Sequence, residues 1–376
     1  MSDAAIAPRP LRVLIAGGGT GGHLYPGIAV AEEVTARDGG EVVFVGTSRG
    51  LETKLVPKAG FPLELMQVSG LKRMGWRATM RGLSLLPGAF LESRRILNQH
   101  KPDVVLGVGG YASGPLVMTA ALSGYPTAIQ EQNSLPGFTN RTLGRFSRRV
   151  FVAFDEAAEH FAKRKVRRTG NPVRRRFLER VAAAGANAAS GGRSIVILGG
   201  SQGSHAVNEL ASSMVRVLDA RGRLPPVVHQ TGADEHDRMQ VHYAALGYGG
   251  DRVDVRAFID DMPAVLADAA RIVARAGALT LAELAIMRRP AILIPLPTAA
   301  DDHQTRNAFA FQQAGAAVLM PQDEASGTRL ADCADEILGN PERHAAMAAA
   351  MGGLARADAT RAVVDELTAI ARKRRS

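Results

Sequence analysis

The chain has one cysteine, Cys333, among 376 residues, so no internal disulfide can form. That residue reads as a small side chain in the helical stretch 330–338, not as a nucleophile. No apolar run reaches the ~18 residues that span a bilayer. The first ten residues lack the basic-then-apolar order of a secretory signal. Together these absences lead us to expect a soluble protein acting in the cytoplasm. Aromatic residues are only 5% of the chain and do not interleave with its arginine clusters. This speaks against a nucleic-acid partner. Acidic residues are also too few to balance the basic ones, leaving a formal charge of +10. Such a charge calls for an anionic partner: nucleic acid, an acidic membrane surface or a phosphorylated substrate.

The chain does have two glycine-rich loops, about one per half. Gly17-Gly18-Gly19-Thr20-Gly21-Gly22-His23 follows the apolar run 11–16, and Gly199-Gly200-Ser201-Gln202-Gly203 follows 194–198. A glycine loop between a buried strand and a helix lets backbone N–H groups approach an anion at the positive end of the helix dipole. Two such loops point to two Rossmann-like domains with phosphate chemistry. The length fits two domains.

Apolar runs alternate with helical stretches, as parallel strands buried on both faces do. Strands are expected at 13–16, 42–45, 63–68, 104–108, 127–129 and 149–152. The pattern restarts at 195–198, 227–230, 253–256, 272–274, 291–294 and 317–319. Asn171-Pro172 breaks regular structure. We therefore expect domains at 1–172 and 173–345, and a helical segment at 346–376 that returns to the first domain. Basic clusters lie at Lys72, Arg73, Arg77 and Arg81, at 163–168, at Arg174-Arg175-Arg176 and in the tail 372–375.

Gly17, Gly19 and Gly22 satisfy G-x-G-x-x-G, a dinucleotide fingerprint. That fingerprint expects an acid at the end of the second strand. Here the strand runs into Gly46-Thr47-Ser48, with Glu41 at its other end, which weakens a nicotinamide-cofactor reading. His23, at the mouth of the loop, could be a base or a packing residue. The glycines of 107–114 could form a tight turn or a second wall of an anion pocket. Glu131-Gln132-Asn133 follows a strand, where α/β sheets bind ligands. Thr280 and Glu283 could form a capping box or hold a diphosphate and ribose hydroxyls. The run Asp301-Asp302-His303-Gln304-Thr305-Arg306-Asn307 is polar throughout, which packing explains poorly. No strand-end Asp-x-Asp metal site is evident, and no metal or cofactor is expected.

Gly-Gly-Gly-Thr-Gly-Gly-His, Glu-Gln-Asn, Gly-Asn-Pro-Val-Arg, Gly-Gly-Ser-Gln-Gly, Gly-Ala-Leu-Thr-x-x-Glu and Asp-Asp-His-Gln-Thr-x-Asn-Ala occur in one order over nearly the whole chain. In this the sequence resembles the undecaprenyldiphospho-muramoylpentapeptide N-acetylglucosaminyltransferases. The resemblance implies a GT-B fold, an α/β class with two Rossmann-like domains facing each other across a cleft. It also implies inverting transfer of GlcNAc from UDP-GlcNAc to the C4 hydroxyl of the muramoyl sugar of lipid I, without metal, forming lipid II and UDP. Residue by residue, it implies UDP-GlcNAc contacts at Thr20, Gly21, Gly22, Asn133, Arg174, Ser201, Ile259 and Gln304. It places the nucleotide against Ala278, Leu279, Thr280, Leu281, Ala282 and Glu283, with Glu283 on the ribose and Ile259 at the uracil. An acceptor diphosphate site at Gly18, Gly19, Gly109, Gly110 and Tyr111 is implied as well. Gln130 stands where some relatives carry histidine. That makes His23 the expected base, with Glu131 second. A lipid-linked acceptor implies peripheral binding to the cytoplasmic face of the bacterial plasma membrane, and we expect the apolar and basic residues of 71–77 and 83–86 to meet the anionic lipid. A GT-B transferase with another acceptor is the alternative.

Overall fold

A computed structural model describes residues 9–48, 50–67, 86–184, 192–250 and 252–375. The stretches 71–77 and 83–85, expected to meet a membrane, lie outside these residues, as do Lys72, Arg73, Arg77 and Arg81. The chain divides into two compact units. Unit 1 comprises Met1–Gln132, Pro136–Arg174 and Asp358–Ser376, and unit 2 comprises Asn133–Leu135 and Arg175–Ala357.

Unit 1 is a parallel sheet in the order β3-β2-β1-β4-β5-β6-β7. Its strands are β1 (Arg12–Gly17), β2 (Glu41–Thr47), β3 (Leu63–Met66), β4 (Val104–Gly109), β5 (Thr127–Glu131), β6 (Arg149–Val152) and β7 (Val166–Arg168). β1 and β4 are buried nearly end to end because helices cover both faces of the sheet. Val13, Ile15, Val104 and Leu106 pack on one face, and Leu14, Ala16, Val105 and Ile129 on the other. No strand is expected at β7, where the sequence shows only a basic cluster. It pairs with β6 alone, and basic residues on such an edge discourage further pairing.

Unit 2 repeats the plan in the order β10-β9-β8-β11-β12-β13, again all parallel. The strands are β8 (Ser194–Leu198), β9 (Val227–Gln230), β10 (Val253–Arg256), β11 (Ala269–Ala274), β12 (Ala291–Leu293) and β13 (Ala317–Leu319). In each sheet the strand order reverses beside the first strand, between β1 and β4 and between β8 and β11. In open α/β sheets this switch point, at the carboxyl ends of the strands, is where ligands bind. Both glycine-rich loops sit there.

The expected segment 346–376 is not one element. Its start belongs to the helix Pro341–Gly353 of unit 2, and only the helix Ala359–Arg375 joins unit 1. The spacing of Val363, Val364, Leu367, Ile370 and Ala371 gives that last helix an apolar stripe, which enters the core around β1. Glu366 clamps it to the sheet edge by accepting from Arg149 Nε (2.6 Å) and Arg167 Nε (2.7 Å). The expected boundary at 172/173 falls instead after Arg174.

Candidate functional site

In unit 1 the loop 18–20 leads from β1 into the helix Gly21–Asp38. Thr20 is its extended N-cap and makes no side-chain capping bond, and no acid lies in the first turn. A helix start left uncapped in this way can offer its N–H groups to an anion. Half-buried His23 lies in this first turn, with Nδ1 3.5 Å from Thr20 Oγ1. Its ring lies against Gly109, where a Cβ would come within 2.7 Å of His23 Cδ2; Gly109 also has φ +99. Only glycine fits there. Ser113 holds the loop after β4 by donating its hydroxyl to Ala16 C=O (2.6 Å) and accepting Gly109 N–H (3.2 Å). Tyr111 is exposed on that loop. Two positions expected to face a diphosphate therefore turn their N–H groups inward: Gly109 to Ser113, and Gly19 to Glu52 Oε2 at 2.8 Å. Gly18 is buried between Glu52 and Gly110.

Glu131 ends β5 and is 2% exposed. Its carboxylate accepts from Asn140 Nδ2 (2.9 Å) and Gly137 N–H (3.3 Å), so it shapes the turn into the helix Phe138–Leu143. Gln130 and Gln132 also serve backbone, donating to Gly170 C=O (3.2 Å) and Val108 C=O (2.8 Å). Arg174 is buried with its guanidinium 4.2 Å above the Tyr25 ring, a cation–π contact two residues along the helix from His23.

In unit 2, Ser201 is exposed in the glycine loop after β8. Ser204 caps the helix His205–Ala220 by accepting Val207 N–H. Two side chains brace this loop. Gln230 donates to Gly200 C=O (2.8 Å) and accepts Ile259 N–H (3.3 Å), so Ile259, expected at the uracil, already has its own N–H engaged. Arg275 is buried at the end of β11. It donates to Ser204 Oγ (2.7 Å), Gln322 Oε1 (2.6 Å), Pro295 C=O (2.9 Å) and Ile294 C=O (3.1 Å). Burial lowers its pKa to about 10, which keeps it charged at neutral pH.

The helix Ala278–Met287 begins at Gly277, so Thr280 lies inside it and the capping-box alternative does not hold. Ala278, Leu279 and Leu281 are buried, as is Glu283 (7% exposed). Thr280 and Ala282 are partly exposed. Gln304 accepts Leu296 N–H with its amide oxygen (3.0 Å), leaving donors as what it can offer a ligand. The polar run 301–307 has a structural part. Asn307 is fully buried, and it accepts Ser134 N–H (3.0 Å) and donates to Asn133 Oδ1 (3.3 Å) and Ala276 C=O (3.3 Å). It thus fixes Asn133 within unit 2. Asp301 and Asp302 adopt φ of 55 and 53, an uncommon conformation for residues other than glycine.

Neither Glu52 nor Gln230 is among the residues expected at the site, and Arg275 and Asn307 enter there only as parts of longer motifs. Gln230 had a signal: it opens Gln-Thr-Gly at the end of an apolar strand. Glu52 had none, because the loop residue it holds, Gly19, lies 33 residues away. Among the described residues no three His, Cys, Asp or Glu side chains form a group able to hold a metal ion.

Residues 13–152 match the glycosyltransferase family 28 N-terminal domain, and residues 194–363 match the glycosyltransferase family 28 C-terminal domain. A relative from Anaeromyxobacter sp. (strain K), named "UDP-N-acetylglucosamine--N-acetylmuramyl-(pentapeptide) pyrophosphoryl-undecaprenol N-acetylglucosamine transferase", is 48% identical over 97% of this chain and 94% of its own. A Geobacter sulfurreducens protein of the same name is 42% identical over 96% of this chain and all of its own. The crystal structure of Acinetobacter baumannii MurG superposes with a TM-score of 0.72 at 30% identity, covering 96% of this chain and 99% of that one. A Neisseria meningitidis UDP-GlcNAc 2-epimerase, solved with UDP-GlcNAc bound, shares the fold at 14% identity and a TM-score of 0.68 over 95% of this chain and all of its own. Identity of this extent across both units makes the chain a member of the MurG family of N-acetylglucosamine transferases.

Proposed function

We propose that this protein transfers GlcNAc from UDP-GlcNAc to the C4 hydroxyl of the muramoyl sugar of lipid I, with inversion, releasing UDP and lipid II. The observation that carries this reading is the near-full-length identity to transferases named for that reaction. The local geometry supports the following division of parts. Unit 1 supplies the base and unit 2 the leaving-group site.

His23 is the base. Imidazole titrates near neutral pH, and the ring sits at the loop, supported by Gly109 and beside Thr20. It takes the proton from the C4 hydroxyl as that oxygen bonds to the anomeric carbon. The bond from that carbon to the UDP oxygen breaks on the opposite side, which inverts the centre. The engaged carboxylate of Glu131 makes it a shaping residue in this scheme. Charge growing on UDP is met by the helix starts after Ser204 and Gly277 and by Arg275 behind them. Glu283 receives the ribose hydroxyls, and Gln304 donates to the sugar or diphosphate. Thr20, Gly21, Gly22, Asn133, Arg174 and Ser201 complete the donor contacts. Gly110 and Tyr111 carry the acceptor diphosphate, with buried Gly18 packed behind Gly110, together with the uncapped N–H groups at the start of the Gly21–Asp38 helix. Gly19 and Gly109 support that surface from behind.

No helix among the described residues is long and apolar enough to cross a membrane. A peripheral contact with the cytoplasmic face of the plasma membrane fits the lipid-linked acceptor. Phe138 (64% exposed) and Phe146 (48% exposed) lie with the exposed Arg141, Arg145 and Arg148 along one short stretch. Apolar rings among arginines suit an anionic interface.

The test is UDP release from UDP-GlcNAc by purified protein, with and without a soluble lipid I analogue. Release that depends on the analogue supports the reading. Donor binding without release would keep the donor site and return the acceptor to another class.

A further inference from the structure

Glu52 is fully buried at the start of the helix Glu52–Lys58, directly behind the first glycine loop. Three donors converge on it. Oε2 accepts Gly19 N–H (2.8 Å), and Oε1 accepts Thr47 N–H (2.8 Å) and the Thr47 hydroxyl (2.7 Å). The neighbouring Leu51 N–H donates to Gly19 C=O (3.4 Å). Both polar groups of the Gly19 residue are thus tied to one helix start. Desolvation pushes the carboxyl pKa up, but the bonds from Gly19 and Thr47 outweigh it and hold it below the ordinary value. The surrounding backbone is shaped to admit this carboxylate. A Cβ on Gly18, Gly46 or Gly50 would collide with Glu52, so all three glycines leave room for it.

A carboxylate is the one common side chain that accepts at both ends and donates at neither. Three donors placed at both ends of the carboxylate explain why the residue is ionised glutamate. Glutamine would set its NH2 against either Gly19 N–H or the Thr47 pair. The strand-end acid of a dinucleotide fold reads a ribose. Here the acid comes five residues after β2 and binds the protein's own loop. That loop also sets the helix start carrying His23, whose ring rests on Gly109, while Gly110 packs on Gly18.

We propose that Glu52 is a positioning residue for acceptor use: it fixes the loop that holds the acceptor diphosphate and orients His23, without touching either substrate. The proposal rests on the transferase reading above. Its signature is a larger loss for the acceptor than for the donor, because the groups of unit 2 that hold UDP do not contact Glu52 and the donor meets this loop only through Thr20, Gly21 and Gly22.

The experiment compares wild type with Glu52→Gln and Thr47→Val. It measures steady-state constants for UDP-GlcNAc and a lipid I analogue, melting temperature, and amide hydrogen exchange across residues 17–23. Glu52→Gln should lower kcat/KM for the acceptor by about 10²-fold, the scale of a small misplacement near the chemistry, while the donor KM stays within about twofold. Exchange across the loop should speed up. Thr47→Val leaves the Gly19 bond in place and should keep acceptor constants within about threefold of wild type. Unchanged acceptor constants in Glu52→Gln would overturn the proposal. So would equal losses for donor and acceptor with a lowered melting temperature, since that pattern marks a merely structural residue. If the wild type itself transfers nothing, the transferase reading has failed separately. Loop exchange then still decides whether Glu52 holds the loop, and wild-type exchange rates in the variant would refute it.

Discussion

The two glycine loops occupy equivalent places, after β1 and after β8 at the switch points of their sheets, yet opposite charges back them. In unit 1 the buried carboxylate of Glu52 takes an N–H out of the loop. In unit 2 the buried guanidinium of Arg275 and the amide of Gln230 brace the loop. The same topology therefore yields two loops with electrostatically different backing. A cation behind the second loop favours charge that grows during reaction, as on departing UDP. A carboxylate behind the first loop adds no attraction for a diphosphate but fixes the backbone beside His23, the proposed base. Fold alone would make the loops interchangeable, and the residues behind them set their division of labour.

The sharpest way to break this comparison is at His23. His23→Ala should lower kcat by about 10²–10⁴, the usual contribution of a general base, measured as acceptor-dependent UDP release. Near-normal turnover would remove the base from unit 1. Glu283→Ala acts on the other unit. It should raise the KM for UDP-GlcNAc by about 10–100-fold, as expected for loss of charge-assisted hydrogen bonds, with the acceptor KM little changed. An unchanged donor KM would place the ribose elsewhere.

Unit 2 also holds a guanidinium without a hydrogen bond among the described residues, in contrast to Arg275. Arg271 is 1% exposed, and none of its three nitrogens has a hydrogen-bond partner among the described residues. Burial lowers its pKa to about 10. Replacing such a charge with an apolar side chain of similar volume commonly stabilises a fold. Arg271→Met should raise unfolding free energy by about 1–3 kcal/mol, read from denaturant titration. A loss of stability would mean that the guanidinium is solvated or paired in solution.

A smaller effect concerns acid stability. His229 is fully buried, with Nδ1 3.0 Å from Tyr243 Oη and Nε2 3.1 Å from Asn208 Oδ1. Asn208 Nδ2 donates to Thr231 C=O and Glu235, which fixes its amide and makes Nε2 of His229 the protonated nitrogen. Burial pushes the pKa of His229 down from 6.5 to about 3. The unfolded chain thus takes up a proton that the folded chain refuses, and stability falls as pH drops from about 6.5 towards 3. Burial pushes Glu235 up, but bonds from Arg238, His205 and Asn208 win and bring it from 4.5 to about 2. Its contribution is lost between those values as pH falls. His229→Gln should flatten the upper part of the curve of melting temperature against pH. An unaltered slope would show that other groups set it.

The strands were legible because parallel strands buried on both faces are continuous apolar runs. Each expected strand has a counterpart, and β7 escaped because three residues of an edge strand, two of them arginine, carry no such run. The glycine loops were legible because glycine is written into the sequence wherever backbone must approach backbone. What braces them was not. Glu52, Gln230 and Asn307 reach partners 29 to 174 residues away, a distance that short-range pattern reading does not cross. The polar run 301–307 read as one functional block, but the structure separates Gln304, half-buried with its oxygen engaged, from Asn307, sealed in the interior.

The most direct test of a divided labour between the units is an equilibrium titration of UDP-GlcNAc into wild type and His23→Ala, alongside their transfer rates. Equal donor Kd values are expected, with transfer lowered by about 10²–10⁴ in the variant. A donor Kd weakened in proportion to the lost rate would contradict it, because His23 would then belong to donor binding and not to the attack by the acceptor.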